Sequence, residues 1–148
     1  MLPPSGRLLS VDWGDVRIGL ALSDESQILA TPLETLVRRV GKRFPMPRFI
    51  ELVSEHGPVG VVMGLPLTGE GAEEASAVAA REMAGTIGRR TGLPVELWDE
   101  RMSTARALAA IREQGGSTRG RREDVDALAA AVLLQHFMES RRAARADR

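Results

Sequence analysis

Residues 8–24 read LLSVDWGDVRIGLALSD, and this stretch decides the fold. Its first half is an apolar run that contains one acid, Asp12. Its second half, from Asp15 to Asp24, alternates large apolar and small residues with a period of two, which is typical of a strand. Gly14 and Asp15 have the composition of a tight hairpin turn. The sequence therefore predicts a β-hairpin with an acid at or near the end of its first strand.

A carboxylate within an apolar strand has two interpretations. Burying it costs several kcal/mol unless it is paired, hydrogen-bonded or bound to a cation, which favours a functional role. Alternatively, Asp12 is solvated at the strand end and caps the turn. This segment alone leaves both interpretations open.

The rest of the chain predicts three more strands and four helices. The strands lie at about 27–37, 59–63 and 94–98, and Pro32 makes the first of these an edge strand. The helices begin near Pro47, Glu73, Ser103 or Thr104, and Asp124, and the last is predicted to bury Val125, Leu128, Ala129, Val132 and Leu133. Three antiparallel strands followed by βαβ units predict an α/β protein with a five-stranded mixed sheet, in which two further parallel strands follow the N-terminal three. Helices cover both faces, an arrangement that resembles the ribonuclease H-like fold.

The composition limits the class of protein. A chain of 148 residues is long enough for one domain, 1–148, with its first six residues and the tail from about 141 expected to be flexible. It contains no apolar run near the roughly 20 residues of a membrane span and no export signal. The absence of cysteine excludes disulfides and thiolate sites and agrees with a cytoplasmic location.

The formal net charge is zero, so any affinity for nucleic acid must come from the distribution of charge. Basic residues gather in two segments and in the tail, and each cluster alone is more typical of a solvated surface than of a binding site. The first segment holds Arg38, Arg39, Lys42, Arg43 and Arg48, and the second holds Arg119, Arg121 and Arg122.

Three acids are predicted to approach one another. Asp12 lies in the hairpin, Glu100 directly follows the fifth strand, and Asp126 lies near the start of the last helix. Ligand sites in open α/β sheets form at the carboxyl ends of the strands. Three carboxylates placed there repel one another unless divalent cations bind between them, and oxygen ligands suit Mg²⁺ or Mn²⁺. Each acid alone has an ordinary explanation as a turn, an ion pair or helix-dipole chemistry.

Four motifs resemble the YqgF family, in order and spacing, from about Arg7 to Phe137. They are Asp12-Trp13-Gly14 with Arg17-Ile18-Gly19 and Ser23-Asp24, Gly64-Leu65-Pro66-Leu67 with Gly71, Asp99-Glu100-Arg101-Met102-Ser103-Thr104, and Asp126-Ala127-Leu128-Ala129-Ala130. The resemblance implies a ribonuclease H-like nuclease with Asp12, Glu100 and Asp126 as catalytic, metal-binding carboxylates. It also implies that Arg17 and Arg101 contact phosphate or orient the acids. The sequence departs from the family pattern at Val16 and Thr68, where lysine and asparagine are usual.

The resemblance implies a metal-dependent hydrolase acting on phosphodiester bonds, with the 5′ end of pre-16S rRNA in ribosome biogenesis as the expected substrate. One alternative is a resolvase of branched DNA, which requires a two-fold dimer. A second is a nucleic-acid-binding or ribosome-assembly module without catalysis. The expected partner is nucleic acid, with no membrane, and the chain is a monomer or homodimer. The residues predicted to contact the nucleic acid are Arg17, Arg39, Lys42, Arg43, Arg101, Arg119, Arg121 and Arg122.

Overall fold

The computed structural model describes residues 1–14, 16–38, 43–65, 75–99 and 122–146, without the side chains of residues 75, 76 and 122–124. The helix predicted between Ser103 and about Glu113 lies outside these ranges. So does Asp15 of the predicted hairpin turn.

Five strands form one mixed sheet, as the sequence predicts. They are β1 (Leu8–Asp12), β2 (Arg17–Ser23), β3 (Ala30–Val37), β4 (Gly60–Leu65) and β5 (Val95–Asp99). Their order is β3-β2-β1-β4-β5. β1 pairs antiparallel with β2 and parallel with β4, β2 pairs antiparallel with β3, and β4 pairs parallel with β5. The predicted fold class is therefore confirmed, with β4 separating β1 from β5.

Three described helices cover the two faces of the sheet. They are α1 (Met46–His56), α2 (Ala75–Thr91) and α3 (Arg122–Ala146). α1 and α2 pack on one face, where Phe49 and Ile87 are fully buried. α3 packs on the other face, where Leu134 and Phe137 are buried. Within the described ranges, no helix has the length and apolar character that a membrane crossing requires.

Strand β1 shows why the two faces differ. Leu9 and Val11 belong to the core under α1 and α2, whereas Leu8 belongs to the core under α3. Successive side chains of a strand point to opposite faces. Ser10 and Asp12 therefore share the α3 face with Leu8.

Both ends of the described chain make defined contacts. Helix α3 continues to Ala146, because its final turns contain alanine and arginine, which are strong helix formers. At the other end, Leu2 is 2% exposed and its carbonyl accepts a 3.0 Å hydrogen bond from Arg141. The amide of Gln27 also donates to the carbonyl of Gly6. The two ends thus pack on each other.

The burial pattern of α3 corrects part of the prediction. Ala129 and Leu133 are buried as predicted, but Val125 and Val132 are only partly buried and Leu128 is 43% exposed. The helix contacts the α3-side core through a stripe that includes Ala130, Ala131, Leu134 and Phe137. Leu128 lies off that stripe on the helix, because successive residues are rotated by roughly 100°.

Candidate active site

Asp12 is the last residue of β1 and lies between two glycines. It pairs with Gly19 on β2 and with Gly64 on β4. Its exposed fraction is 3%, so the acid is within the protein rather than solvated at the strand end. Because neither neighbour carries a side chain, the α3 face is free of β2 and β4 side chains on both sides of this carboxylate.

The same register continues across the whole sheet. Gly19 pairs with Thr35 on β3, and Gly64 pairs with Trp98 on β5. With neighbouring strands about 4.8 Å apart, Asp12 and Trp98 are separated by roughly 10 Å at their backbones. Trp98 is partly buried against α3, and its ring centroid lies 5.3 Å from that of Phe137.

The backbone of helix α3 lies close to the sheet at Gly19. A Cβ atom added at Gly19 would collide with the main-chain carbonyl of Asp126. Farther along the helix, the hydroxyl of Ser10 donates a 2.8 Å hydrogen bond to the carbonyl of Ala130. These two contacts place Asp126 directly over the register partner of Asp12. The main chain of Asp126 therefore lies against the strand neighbour of Asp12.

Arg17 contacts one of these acids. Its Nε donates to Oδ2 of Asp126 at 2.5 Å, and the two side chains are 31% and 15% exposed. Arg17 lies two residues before Gly19 on β2 and hence on the same face of the sheet. The resemblance implies that Arg17 contacts phosphate or orients the acids. This contact is with an acid.

Several predicted site residues lie outside the described ranges. They are the acid Glu100 and the basic residues Arg39, Lys42, Arg101, Arg119 and Arg121. Arg122 is the first residue of α3, but its side chain is not described, and Arg43 is exposed. Among the described residues, no group of three or more His, Cys, Asp or Glu side chains could hold a metal ion. The described part of the site is the pair Asp12 and Asp126.

The cations of the first basic segment have different environments. The guanidinium of Arg38 lies 4.5 Å from the ring centroid of Trp13, and its Nη1 donates to the carbonyl of Gly14 at 3.0 Å. Arg38 is thus held beside the β1–β2 turn. Arg48 instead donates two hydrogen bonds, of 2.8 and 2.7 Å, to the carboxylate of Glu34, and this lowers the pKa of Glu34. Arg48 is therefore committed to a structural ion pair.

Two residues of the site were not selected from the sequence. Gly19 allows α3 to approach the sheet, and Ser10 fixes that helix to β1. The sequence feature that indicates this close approach is the alternation of β2, in which Gly19, Ala21 and Ser23 are all small. After Arg17, this face of β2 carries only small residues, which allow another element to pack closely on it.

Comparison with known proteins now assigns the family. Residues 6–140 match the family model of RuvX, which is described as Holliday junction resolvase. The chain belongs to the RuvX family. It is 44% identical to a protein of Anaeromyxobacter sp. over 93% of this chain and 99% of that one, and 42% identical to a protein of Mycolicibacterium smegmatis over 99% and 88%. Both relatives carry the name "Putative pre-16S rRNA nuclease".

A solved structure supports the fold independently. Thermus thermophilus RuvC in complex with Holliday junction substrate matches this RuvX chain with a TM-score of 0.54 at 19% identity, covering 92% of this chain and 95% of that one. At this identity the match shows the fold alone. The RuvX chain therefore has the ribonuclease H-like fold that its element order predicts.

Proposed function

We propose that this protein is a divalent-metal-dependent nuclease that hydrolyses phosphodiester bonds, with the 5′ end of pre-16S rRNA as its substrate. The observation that carries the proposal is the position of Asp126 over Gly19, beside the buried Asp12. The names of relatives that are 40–44% identical support the same substrate. A substrate of this kind places the protein in the cytoplasm.

The described acids fit a hard divalent ion. Asp12 and Asp126 present carboxylate oxygens, the ligand type that suits Mg²⁺ and Mn²⁺. Ribonuclease H-like nucleases of this kind typically need a divalent metal. Glu100 is proposed as the third ligand, because the resemblance implies that role and because it directly follows Asp99, the last residue of β5, in the sequence. The specific ion is proposed to be Mg²⁺ or Mn²⁺.

The residues of the chain prepare the site in separate ways. Strand pairing and burial fix the carboxylate of Asp12, and Gly19 and Gly64 add no side chain beside it. The hydrogen bond from Ser10 fixes α3, which carries Asp126. A bound divalent ion would supply activation of the attacking water and stabilisation of the leaving oxygen. The protein's own contribution is thus a preset arrangement of carboxylates on rigid elements.

An acidic site needs cations around it before a polyanion can approach. Arg38 lies beside the turn after Asp12, and Arg43 is exposed five residues later. We propose that nucleic acid passes over the acids between these cations and the second basic segment, together with Arg101. A chain with zero net charge binds a polyanion in this way because its charges are partitioned between a centre and its flanks. The second segment comprises Arg119, Arg121 and Arg122, and Arg39 and Lys42 extend the first.

A second candidate function is resolution of branched DNA. The description of the RuvX family as Holliday junction resolvase favours it, and the reaction hydrolyses the same type of bond. A four-way junction is cut symmetrically by a two-fold dimer. A monomeric state would therefore argue against junction resolution, whereas a dimer is compatible with both substrates.

The decisive experiment compares both substrates under identical conditions. A pre-16S rRNA leader and a four-way DNA junction are incubated with the full chain in Mg²⁺, in Mn²⁺ and in EDTA. Asp12→Asn, purified in parallel, controls for contaminating nuclease. Size-exclusion chromatography with light scattering gives the oligomeric state in each condition.

We expect the leader to be cut in the presence of metal, and neither EDTA nor Asp12→Asn to support cleavage. Cleavage of the junction alone, by a dimer, would replace the RNA substrate with branched DNA. Binding of the leader without cleavage in either metal would identify a non-catalytic ribosome-assembly module and would refute the proposed activity.

A further inference from the structure

The ion pair between Arg17 and Asp126 connects residues 109 positions apart in the chain. It joins β2 to α3 beside the buried Asp12. Its contact is made by Nε and by one of the two carboxylate oxygens, Oδ2. A carboxylate has about four lone-pair sites, so this contact leaves acceptor capacity on Asp126.

The positive charge of Arg17 offsets the repulsion between the carboxylates of Asp12 and Asp126. Two carboxylates held side by side repel each other because both are negatively charged. A guanidinium carries its positive charge at every physiological pH. At 15% exposure, the Asp126 side chain is shielded enough for this charge to act with little solvent screening.

The same charge opposes the ion that the proposed function requires. A divalent cation shared by Asp12 and Asp126 would lie near the guanidinium, and two positive charges a few ångströms apart repel strongly in a partly buried site. Arg17 and a divalent ion therefore compete for the same acid.

We propose that Arg17 is a positioning residue, which holds the Asp126 carboxylate beside Asp12 in the metal-free protein and is in competition with the divalent ion for that carboxylate. This inference rests on the proposed metal-dependent function. Of the two roles that the family resemblance implies for Arg17, it selects contact with an acid rather than with phosphate. Metal binding in this arrangement exchanges one positive partner of Asp126 for another.

The test measures metal affinity directly, without substrate. Mn²⁺ and Mg²⁺ are titrated by calorimetry into the full chain and into Arg17→Gln. We expect Arg17→Gln to bind the ion about tenfold more tightly, because one neighbouring positive charge has been removed. The metal-free variant should unfold at a lower temperature than the wild type, and saturating metal should close that gap. A purely structural role for Arg17 predicts weaker metal binding together with lower stability.

Three further variants make the test specific. Arg48→Gln removes an arginine–carboxylate pair elsewhere, that with Glu34, and should leave metal affinity unchanged. Arg17→Met removes the charge but keeps an apolar stem, so it replaces Arg17→Gln if that variant does not fold. In the background of Asp126→Asn, the Arg17→Gln substitution should change metal affinity less than in the wild type, because the shared carboxylate is absent.

The outcomes separate this inference from the proposed function. If the wild type binds metal and both charge-removing variants bind it equally or more weakly, the competition is refuted and the metal site stands. If the wild type does not bind Mn²⁺ or Mg²⁺, or if Asp12→Asn binds them as tightly as the wild type does, the metal site is refuted. The proposed competition is then refuted as well.

Discussion

The two faces of the sheet have different compositions. Under α1 and α2, the strands contribute large apolar side chains such as Ile18, Leu20 and Met63, all fully buried. Under α3, the same strands contribute Ser10, Asp12 and Gly19. Large strand side chains fill the first face, whereas on the second the strands leave room at Gly19 for direct contact with the backbone of α3.

This difference assigns stability and chemistry to different sides of the same strands. Burial of a large apolar side chain contributes roughly 1.5–3 kcal/mol, and β1 and β2 obtain that contribution mainly from the α1 and α2 side. Small residues on the α3 side contribute less of this stabilisation, because they bury less apolar surface. In exchange, they allow the main chain of Asp126 to pack against Gly19, the strand neighbour of Asp12. Substitutions on the two faces should therefore have separable effects.

Asp12→Asn should have the largest effect on function. We expect cleavage to fall by more than the roughly 10- to 100-fold that is typical for the outer-shell partners of a metal, because a ligand charge itself is lost. Nucleic-acid affinity should change little, since it derives mainly from arginine contacts with phosphate. Single-turnover cleavage and a binding titration measure the two quantities. Equal cleavage at saturating metal would remove Asp12 from the mechanism.

Leu20→Ala should produce the opposite pattern. Leu20 is fully buried under α1 and α2, and truncating such a residue costs about 2–5 kcal/mol. Denaturant unfolding measures this loss. At a temperature where the variant remains folded, its cleavage rate should stay within a few-fold of the wild type. A loss of cleavage as large as that of Asp12→Asn in folded protein would show that the two faces are not separable.

Gly19→Ala should affect both stability and activity. The added methyl group overlaps the carbonyl of Asp126, so α3 must move away from Asp12. Overpacking of this kind costs about 1–3 kcal/mol, and the displaced Asp126 should reduce metal affinity and cleavage.

Gly88→Ala is the matched control for Gly19→Ala. Its Cβ would meet the carbonyl of Leu93 at an ordinary 3.6 Å, and alanine favours the α2 helix by up to about 1 kcal/mol. Thermal unfolding and metal titration of both variants make the comparison. Wild-type metal affinity in Gly19→Ala would mean that the close approach of α3 is unrelated to the site.

The sequence was sufficient to predict the sheet because its signals are local. Period-two alternation in β2 and the apolar run of β4 identify strands without tertiary information. The short connection between β1 and β2 implies antiparallel pairing, and the helical connections that follow imply parallel strands. Asp12 was recognisable for the same reason, since an acid stands out within an apolar strand.

Other features could not be predicted because they depend on contacts distant in the chain. An arginine at position 17 is equally suited to a phosphate or an acid, and only the fold brings Asp126 to it. Burial of Leu2 depends on packing against α3 and on the bond from Arg141. The exposure of Leu128 depends on the rotation of α3 about its axis, which apolar periodicity determines only approximately.

The smallest expected effect concerns the arginine–acid pair on the α1 side. The hydrogen bonds from Arg48 lower the pKa of Glu34 more than its partial burial raises it. A carboxyl group whose pKa is lower in the folded than in the unfolded state stabilises the protein above its unfolded pKa, and this contribution is lost as pH falls. Glu34→Gln should therefore flatten the decrease in stability between about pH 5 and pH 3, by roughly 1 kcal/mol or less because the pair is partly exposed.

Glu51→Gln is the control, since its carboxylate lies 3.7 Å from Arg48 and is 66% exposed. Denaturant unfolding across this pH range measures both variants, and identical pH profiles would show that the Glu34 pair contributes nothing measurable to acid stability.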